Sequence, residues 1–217
     1  MIRVVVVDDE ALVRSGFRLI LNAAGDIEVV ATAAGGEAVD EITRHRPDVV
    51  LLDIRMPDVD GLTVLGRIRR LPEPPVVAML TTFDSDEYIA AALRAGAAGF
   101  ILKDTDPDQL AHLVRTLAGG GVVLSAKVTR SVVDRYLEGR EDPAATASVG
   151  RLSEREREIL VLIADGLSNA EIAAAVHLSV GTVKDHVSAI LTKLKVTSRV
   201  QAALLAQRAG LLAGDER

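Results

Sequence analysis

Four apolar runs, each closed by a charged or hydroxylic residue, constrain the fold of this chain more than any other feature. Val4 to Val7 is followed by Asp8-Asp9, and Val49 to Leu52 runs into Asp53. Val76 to Leu80 is closed by Thr81, and Phe100 to Leu102 by Lys103. Runs of Val, Ile and Leu this short and this continuous suit strands buried on both faces of a parallel sheet. In such sheets the ligand crevice lies outside the carboxyl ends of the strands. The pattern therefore predicts three carboxylates, a hydroxyl and an ammonium gathered at one sheet edge.

The rest of the first 118 residues fits that architecture. Strand signals fall at 2–7, 27–32, 48–53, 76–80 and 99–102. Amphipathic stretches lie between them near 11–23, 35–45, 61–70, 86–95 and 107–117, with Gly25, Pro47 and Gly96 as breaks. Five βα units predict an α/β fold: a doubly wound, five-stranded parallel sheet with helices on both faces and right-handed crossovers.

The second part of the chain reads as helical only. Gly119-Gly120-Gly121 ends the first domain, and Val128, Val132, Val133 and Leu137 have the spacing of a helix over 126–138. The polar segment from Glu138 to Gly150 reads as a flexible linker. Ser153 with Glu156 fits a capping box, followed by Ile159, Leu160, Leu162 and Ile163, with Gly166 as the stop. Ser168 or Asn169 caps a second helix carrying Ile172, Ala173 and Val176. His177-Leu178-Ser179 is a tight turn into a third helix through Leu194, with Val183, Val187, Ile190, Leu191 and Leu194 as its apolar stripe. A fourth helix runs from Ser198 to about Ala209. The expected division is 1–120, a linker over 121–149 that is partly helical, and 150–217.

Composition sets limits. Apolar residues make up 49% of the chain but aromatics only 2%, so Val, Leu, Ile and Ala must fill the core. With no cysteine, disulfides, thiolate metal sites and cysteine nucleophiles are excluded. Asp8-Asp9-Glu10 interrupts the first apolar run too early for a signal peptide, and no stretch approaches the roughly 20 apolar residues of a membrane span. A cytoplasmic protein is expected. The net charge of −6 is unevenly spread: residues 150–217 hold 9 basic and 8 acidic side chains out of totals of 25 and 31. The acidity belongs to the first domain, and any case for DNA rests on where the second domain's charges sit.

A carboxylate that accepts a phosphoryl group must be ionised and close to a cation that neutralises the phosphoryl oxygens. Mg²⁺ takes octahedral oxygen coordination and keeps several waters, so one or two carboxylates suffice. Asp9 and Asp53 are the expected direct ligands, with Asp8 acting through water and the Arg55 backbone carbonyl as a third protein ligand; Mn²⁺ could substitute. Lys103 would pair with the phosphoryl oxygens, and Thr81 would donate its hydroxyl to them. The Arg55 side chain either alters water access to the phosphoryl group or faces solvent.

These residues carry a resemblance. Val7-Asp8-Asp9, the stretch Asp53-Ile-Arg-Met-Pro-Asp-Val-Asp-Gly61, Leu80-Thr81-Thr82-Phe83-Asp84 and Gly99-Phe-Ile-Leu-Lys103 resemble the receiver domain of bacterial two-component response regulators. The resemblance implies a flavodoxin-like receiver and phosphorylation of Asp53 by a sensor histidine kinase. It implies Thr81 and Phe100 as a switch pair, the ring turning inward as the hydroxyl moves, with the surface around 83–105 rearranged.

A helix-turn-helix lays its second helix in the major groove. Residues 168–194 have that form, with Thr182, Lys184, Asp185 and Ser188 away from the apolar stripe and His186 at its edge. Lys193 lies further along, where it could meet phosphate. Asp185 would repel phosphate but could accept from cytosine N4. His186 could pack or touch phosphate. The segments Leu152-Ser-Glu-Arg-Glu156, Ser168-Asn-Ala-Glu-Ile172 and Thr182-Val-Lys184-Asp-His186 resemble the LuxR-type helix-turn-helix domain. Together the two resemblances point to the NarL/FixJ subfamily. They imply a transcription factor bound to a double-stranded DNA operator as a homodimer, joined through Val200, Ala203, Leu204 and Gln207 of the fourth helix. RNA polymerase is a further expected partner, and Glu156 is expected to buttress the recognition helix. Two other classes stay open: an interaction protein that sequesters a partner or drains phosphate, and a phosphotransferase. No second substrate pocket favours the last, and the expectation is a non-enzyme with only self-phosphorylation and slow autodephosphorylation.

Overall fold

The computed structural model describes residues 1–82, 86–124 and 143–211. The expected helix over 126–138 and the motif residues Phe83 and Asp84 lie outside them. The chain divides into two compact units near residue 118.

The first unit is built on β1 (Ile2–Val7), β2 (Ile27–Ala33), β3 (Val49–Asp53), β4 (Val76–Thr81) and β5 (Gly99–Leu102). All neighbours pair in parallel, in the order β2-β1-β3-β4-β5. Helices α1 (Ala11–Asn22), α2 (Ala38–His45), α3 (Gly61–Ile68), α4 (Asp86–Ala95) and α5 (Pro107–Ala118) connect or follow the strands. Residues 35–45, expected as one helix, begin as a 3-10 turn over Gly35–Glu37 before α2. Side chains alternate across a sheet. Val4, Val6, Val49, Leu51, Ala78 and Leu80 pack against Phe17 and Leu21 of α1 and Leu110, Val114 and Leu117 of α5. Val5, Val7, Val50, Leu52, Val77 and Met79 are equally buried and occupy the other face by the same alternation. Burial on both faces explains why these strands read as unbroken apolar runs.

The free edge of β5 is covered. The Phe100 N–H donates to the Val123 carbonyl at 2.7 Å, and Gly99 forms an isolated parallel bridge with Val123. A Cβ on Gly99 would lie 2.6 Å from that carbonyl, so the close approach requires glycine.

The second unit contains α6 (Pro143–Val149), α7 (Glu154–Ala164), α8 (Asn169–Ala175), α9 (Val180–Leu194) and α10 (Arg199–Arg208). Helix α6 corrects the reading of flexible linker over 143–149; residues 138–142 lie outside the described ones. Proline at its first position suits a helix start, the following residues are alanine-rich, and Ala145 and Val149 are buried. Ser153 forms the expected capping box with Glu156, and Ser168 rather than Asn169 caps α8, in a second box with Glu171. Ser179 caps α9, and Ser198, the expected start of the fourth helix, caps α10. Gly166 and His177 take left-handed backbone conformations where the chain turns. Val183, Ile190 and Leu194 enter the core with Ile159, Leu160, Ile163 and Ile172, while Val187 and Leu191 are partly buried against it. Arg199 is buried, donating to Asn169 Oδ1 at 3.0 Å and to the Leu167 carbonyl, which ties the start of α10 to the start of α8.

Candidate functional site

Parallel pairing in register brings four strand ends together. Val7 pairs with Leu52, Asp53 with Leu80, and Thr81 with Leu102, so Asp8, Asp53, Thr81 and Lys103 emerge along one edge. One carboxylate oxygen from each of Asp8, Asp9 and Asp53 lies within 4.8 Å of the others. Asp8 is fully buried, Asp53 is buried and Asp9 is exposed. The Lys103 ammonium sits 2.8 Å from Asp8 Oδ2 and 3.0 Å from Asp53 Oδ2. The Glu10 N–H donates to Asp8 Oδ1 at 2.9 Å.

The electrostatics follow from this crowding. Burial pushes the Asp53 carboxyl above its ordinary value, and the neighbouring Asp8 charge adds to the shift; the hydrogen bond from Lys103 opposes both without cancelling them. Burial works against the Lys103 ammonium, but hydrogen bonds to Asp8 and Asp53 outweigh it and raise its pKa. The cluster thus holds more negative charge than one lysine neutralises. Its donor set, all carboxylate oxygen, fits a hard divalent cation such as Mg²⁺.

Both residues of the implied switch pair are buried. Thr81 is buried, and its hydroxyl has no hydrogen-bond partner among the described residues. Phe100 is 1% exposed, its ring inside the unit. Gly61 has a role its place in the motif only hinted at: a Cβ there would lie 2.1 Å from the Asp53 carbonyl oxygen, so only glycine lets the loop close under the carboxylate. The Arg55 N–H points at Asp53 Oδ1 at 3.4 Å, while its guanidinium lies over the Tyr88 ring of α4, 5.4 Å from the centroid. Neither sequence alternative for that side chain foresaw the aromatic contact.

In the second unit, Thr182, Lys184, Asp185 and Ser188 are exposed along α9, and His186 is half-buried at their margin. Thr182 Oγ1 is 2.8 Å from Ser179 Oγ, and the Ser188 hydroxyl donates to the Lys184 carbonyl. Val180, not singled out by its sequence context, adds an exposed apolar side chain at the start of α9. Lys193 is committed elsewhere: its ammonium donates to both carboxylate oxygens of Glu156 at 2.7 Å. Glu156 also accepts from the Ser153 N–H, so one buried carboxylate holds both the start of α7 and the recognition helix. Val200 is corrected as a candidate dimer contact, because it is buried within the chain. Ala203 and Leu204 are partly exposed and Gln207 is exposed.

The bond to Lys193 is the main cause that holds the Glu156 carboxyl below its ordinary 4.5, aided by the Ser153 N–H. A depressed carboxyl stabilises the fold above its unfolded pKa and loses that contribution as pH falls through the folded value. Glu156→Gln is therefore expected to cost about 1 kcal/mol at pH 7, since Lys193 remains partly solvated. In urea titrations followed by circular dichroism the deficit should shrink as pH falls below 4.5 and through the lower folded value; a deficit that stays the same across that range contradicts the assignment.

Comparison with known proteins agrees with both units. The response regulator receiver domain family matches residues 4–115, and the luxR family of bacterial regulatory proteins matches 150–206. The oxygen regulatory protein NreC of Staphylococcus aureus (strain bovine RF122 / ET3-1) is 42% identical over 202 residues, covering 91% of this chain and 93% of that protein. NreC of Staphylococcus epidermidis (strain ATCC 35984) is 41% identical over the same length and shares. Among solved structures, the response regulator ChrA of a heme-sensing two-component system has 37% identity and a TM-score of 0.52, covering 97% of this chain and 98% of that one. The signal receiver domain of a NarL response regulator from Mycobacterium tuberculosis has 39% identity and a TM-score of 0.53, covering 55% of this chain and 97% of that one. The chain belongs to the NarL/FixJ family of two-component response regulators, which join a receiver domain to a LuxR-type DNA-binding domain.

Proposed function

We propose that Asp53 accepts a phosphoryl group from a sensor histidine kinase, and that this shifts dimerisation and DNA binding by the second unit to control transcription. The observation that carries the reading is the convergence of Asp8, Asp9 and Asp53, with oxygens within 4.8 Å of one another, and of Lys103, 2.8 Å from Asp8 and 3.0 Å from Asp53, at the carboxyl edge of the sheet.

In the transfer, an Asp53 carboxylate oxygen forms a bond to phosphorus as the bond from phosphorus to the donor's imidazole nitrogen breaks, and the imidazole takes up a proton. Asp9 and Asp53, with Asp8 behind them and the Arg55 carbonyl beside them, would hold Mg²⁺, which supplies charge neutralisation at the phosphoryl oxygens when bound. Lys103 is placed to leave its carboxylate pairs for a phosphoryl oxygen. Thr81 offers a donor that a phosphoryl oxygen would satisfy, and a buried polar group without a partner costs about 1–3 kcal/mol. That cost is what gives the phosphorylated state its differential stability.

On the DNA side, Thr182, Lys184, Asp185, His186 and Ser188 form the reading face. Lys193 reaches phosphate only by sharing its ammonium with Glu156. Ala203, Leu204 and Gln207 are the candidates for a dimer contact. The remaining partners we propose are a double-stranded operator and RNA polymerase, in the cytoplasm. Among the described residues no helix is long and apolar enough to cross a membrane. The chain's own chemistry is limited to taking up and slowly hydrolysing its acyl phosphate.

The test is binding to fragments upstream of the protein's own operon, with sedimentation in parallel, with and without beryllofluoride and Mg²⁺. Tighter binding and a heavier species with the mimic are expected. Binding and oligomeric state that both ignore it would overturn the switch. Failure to bind any genomic fragment would favour an interaction protein instead.

A further inference from the structure

The N-terminal acidic pair is held from outside by a residue with no assigned role. Arg14, half-buried in the first turn of α1, donates from a single guanidinium nitrogen to two backbone carbonyls, that of Asp8 at 2.6 Å and that of Asp9 at 2.9 Å. A trans peptide is planar, so a carbonyl and the N–H of the next residue point in opposite directions. Fixing the Asp9 carbonyl on Arg14 therefore aims the Glu10 N–H the other way, and that N–H is the group donating to Asp8 Oδ1 at 2.9 Å. Asp8 Oδ2 is left facing Lys103 at 2.8 Å. One chain of contacts thus runs from Arg14 through the peptide between residues 9 and 10 to the Asp8 carboxylate and on to Lys103.

We propose that Arg14 is a positioning residue for the cation site: it sets the peptide planes that orient Asp8 and Asp9. The proposal rests on the reading that Asp8, Asp9 and Asp53 hold a divalent cation. Two effects of opposite sign separate it from a simple charge effect. A guanidinium beside a dication opposes binding by repulsion, so removing its charge alone would tighten Mg²⁺. Losing the orientation of the ligands weakens Mg²⁺. Because both donated bonds leave one nitrogen, a lysine ammonium with its three hydrogens can replace them, whereas a methionine of similar length cannot.

The experiment uses the full chain. Mg²⁺ alone is titrated calorimetrically into wild type, Arg14→Met and Arg14→Lys. Exchange of the Glu10 amide is followed by NMR in EDTA, with thermal melts to check folding. Orienting partners behind metal ligands are worth about 10-fold or more in affinity, so Arg14→Met is expected to bind Mg²⁺ about 10-fold more weakly. Its Glu10 amide should exchange faster, and Arg14→Lys should stay close to wild type in both. Mg²⁺ binding by Arg14→Met that is unchanged or tighter, or an unaltered Glu10 amide, would overturn the proposal. Wild type that takes up no Mg²⁺ would defeat the cation reading, and the Glu10 amide would then decide the role of Arg14 by itself. Should Arg14→Met not fold, Arg14→Gln takes its place, since its amide nitrogen is neutral and sits on a shorter stem.

Discussion

With asparagine at position 53, incubation with acetyl phosphate and Mg²⁺ is expected to leave the mass of the chain unchanged. The amide keeps the shape of Asp53 but has no anionic oxygen to attack phosphorus. Losing a nucleophile typically costs on the order of 10⁴-fold or more in rate. Asp8 is the nearest substitute, yet it is fully buried, with one oxygen on the Glu10 N–H and the other on Lys103. Asp9 is exposed but precedes α1 rather than ending a strand. Intact mass spectrometry of wild type and Asp53→Asn reads the result. Phosphate uptake by the variant at the wild-type rate would move the acceptor elsewhere. DNA binding by the variant should no longer respond to the phosphodonor, while its basal level persists, because no residue of the reading face has changed.

Replacing Lys103 with methionine is expected to cost about 3 kcal/mol of stability in EDTA, the usual scale for breaking a buried ion pair by removing one partner. The ammonium is 11% exposed and bridges two buried carboxylates, so its loss leaves Asp8 and Asp53 facing each other uncompensated. Mg²⁺ should restore part of the loss, making the variant's melting temperature far more dependent on Mg²⁺ than that of wild type. The signs with pH are fixed by the shifts. Asp53 is already raised above 3.8, mainly by burial. A carboxyl raised in the folded state penalises folding at neutral pH, and the penalty is relieved as pH falls through the folded value. Removing Lys103 enlarges it, so Lys103→Met should gain stability relative to wild type on acidification. In wild type the raised ammonium stabilises the fold below 10.5 and ceases to do so as pH rises through its folded value. Melts across pH, with and without Mg²⁺, test both limbs. A variant as stable as wild type in EDTA at pH 7 would mean the bridge contributes little.

Much of this was legible in the sequence because it depends on period and punctuation. A strand buried on both faces must be apolar throughout, so a polar residue that closes it is conspicuous, and four such closures locate the sheet edge. Caps are legible for a similar reason: Ser153 with Glu156 satisfies N–H groups that every helix start leaves open, whereas the choice between Ser168 and Asn169 needed the structure. What the sequence hides depends on side chains meeting across distance. Nothing local shows that Lys193 closes on Glu156, 37 residues away, or that Arg55 lies over Tyr88. Arg14 reads as an ordinary polar position on an amphipathic helix, and only its carbonyl partners reveal its use. Helix α6 was missed because its apolar residues are small, and Val200 was misplaced because an apolar residue in the first turn of a helix can face inward as easily as outward.

The edge of the sheet at β5 has a mechanical meaning. Phe100 holds Val123 by a backbone hydrogen bond of 2.7 Å, and Lys103 directly follows the same four-residue strand. Val123 lies beyond the last helix of the unit, so the bond ties β5 to a stretch that follows α5. That stretch is pinned rather than free at Val123, and the pin sits on the strand that carries the buried Phe100 ring and runs into Lys103. Displacement of that strand must carry Val123 with it or break the bond between them.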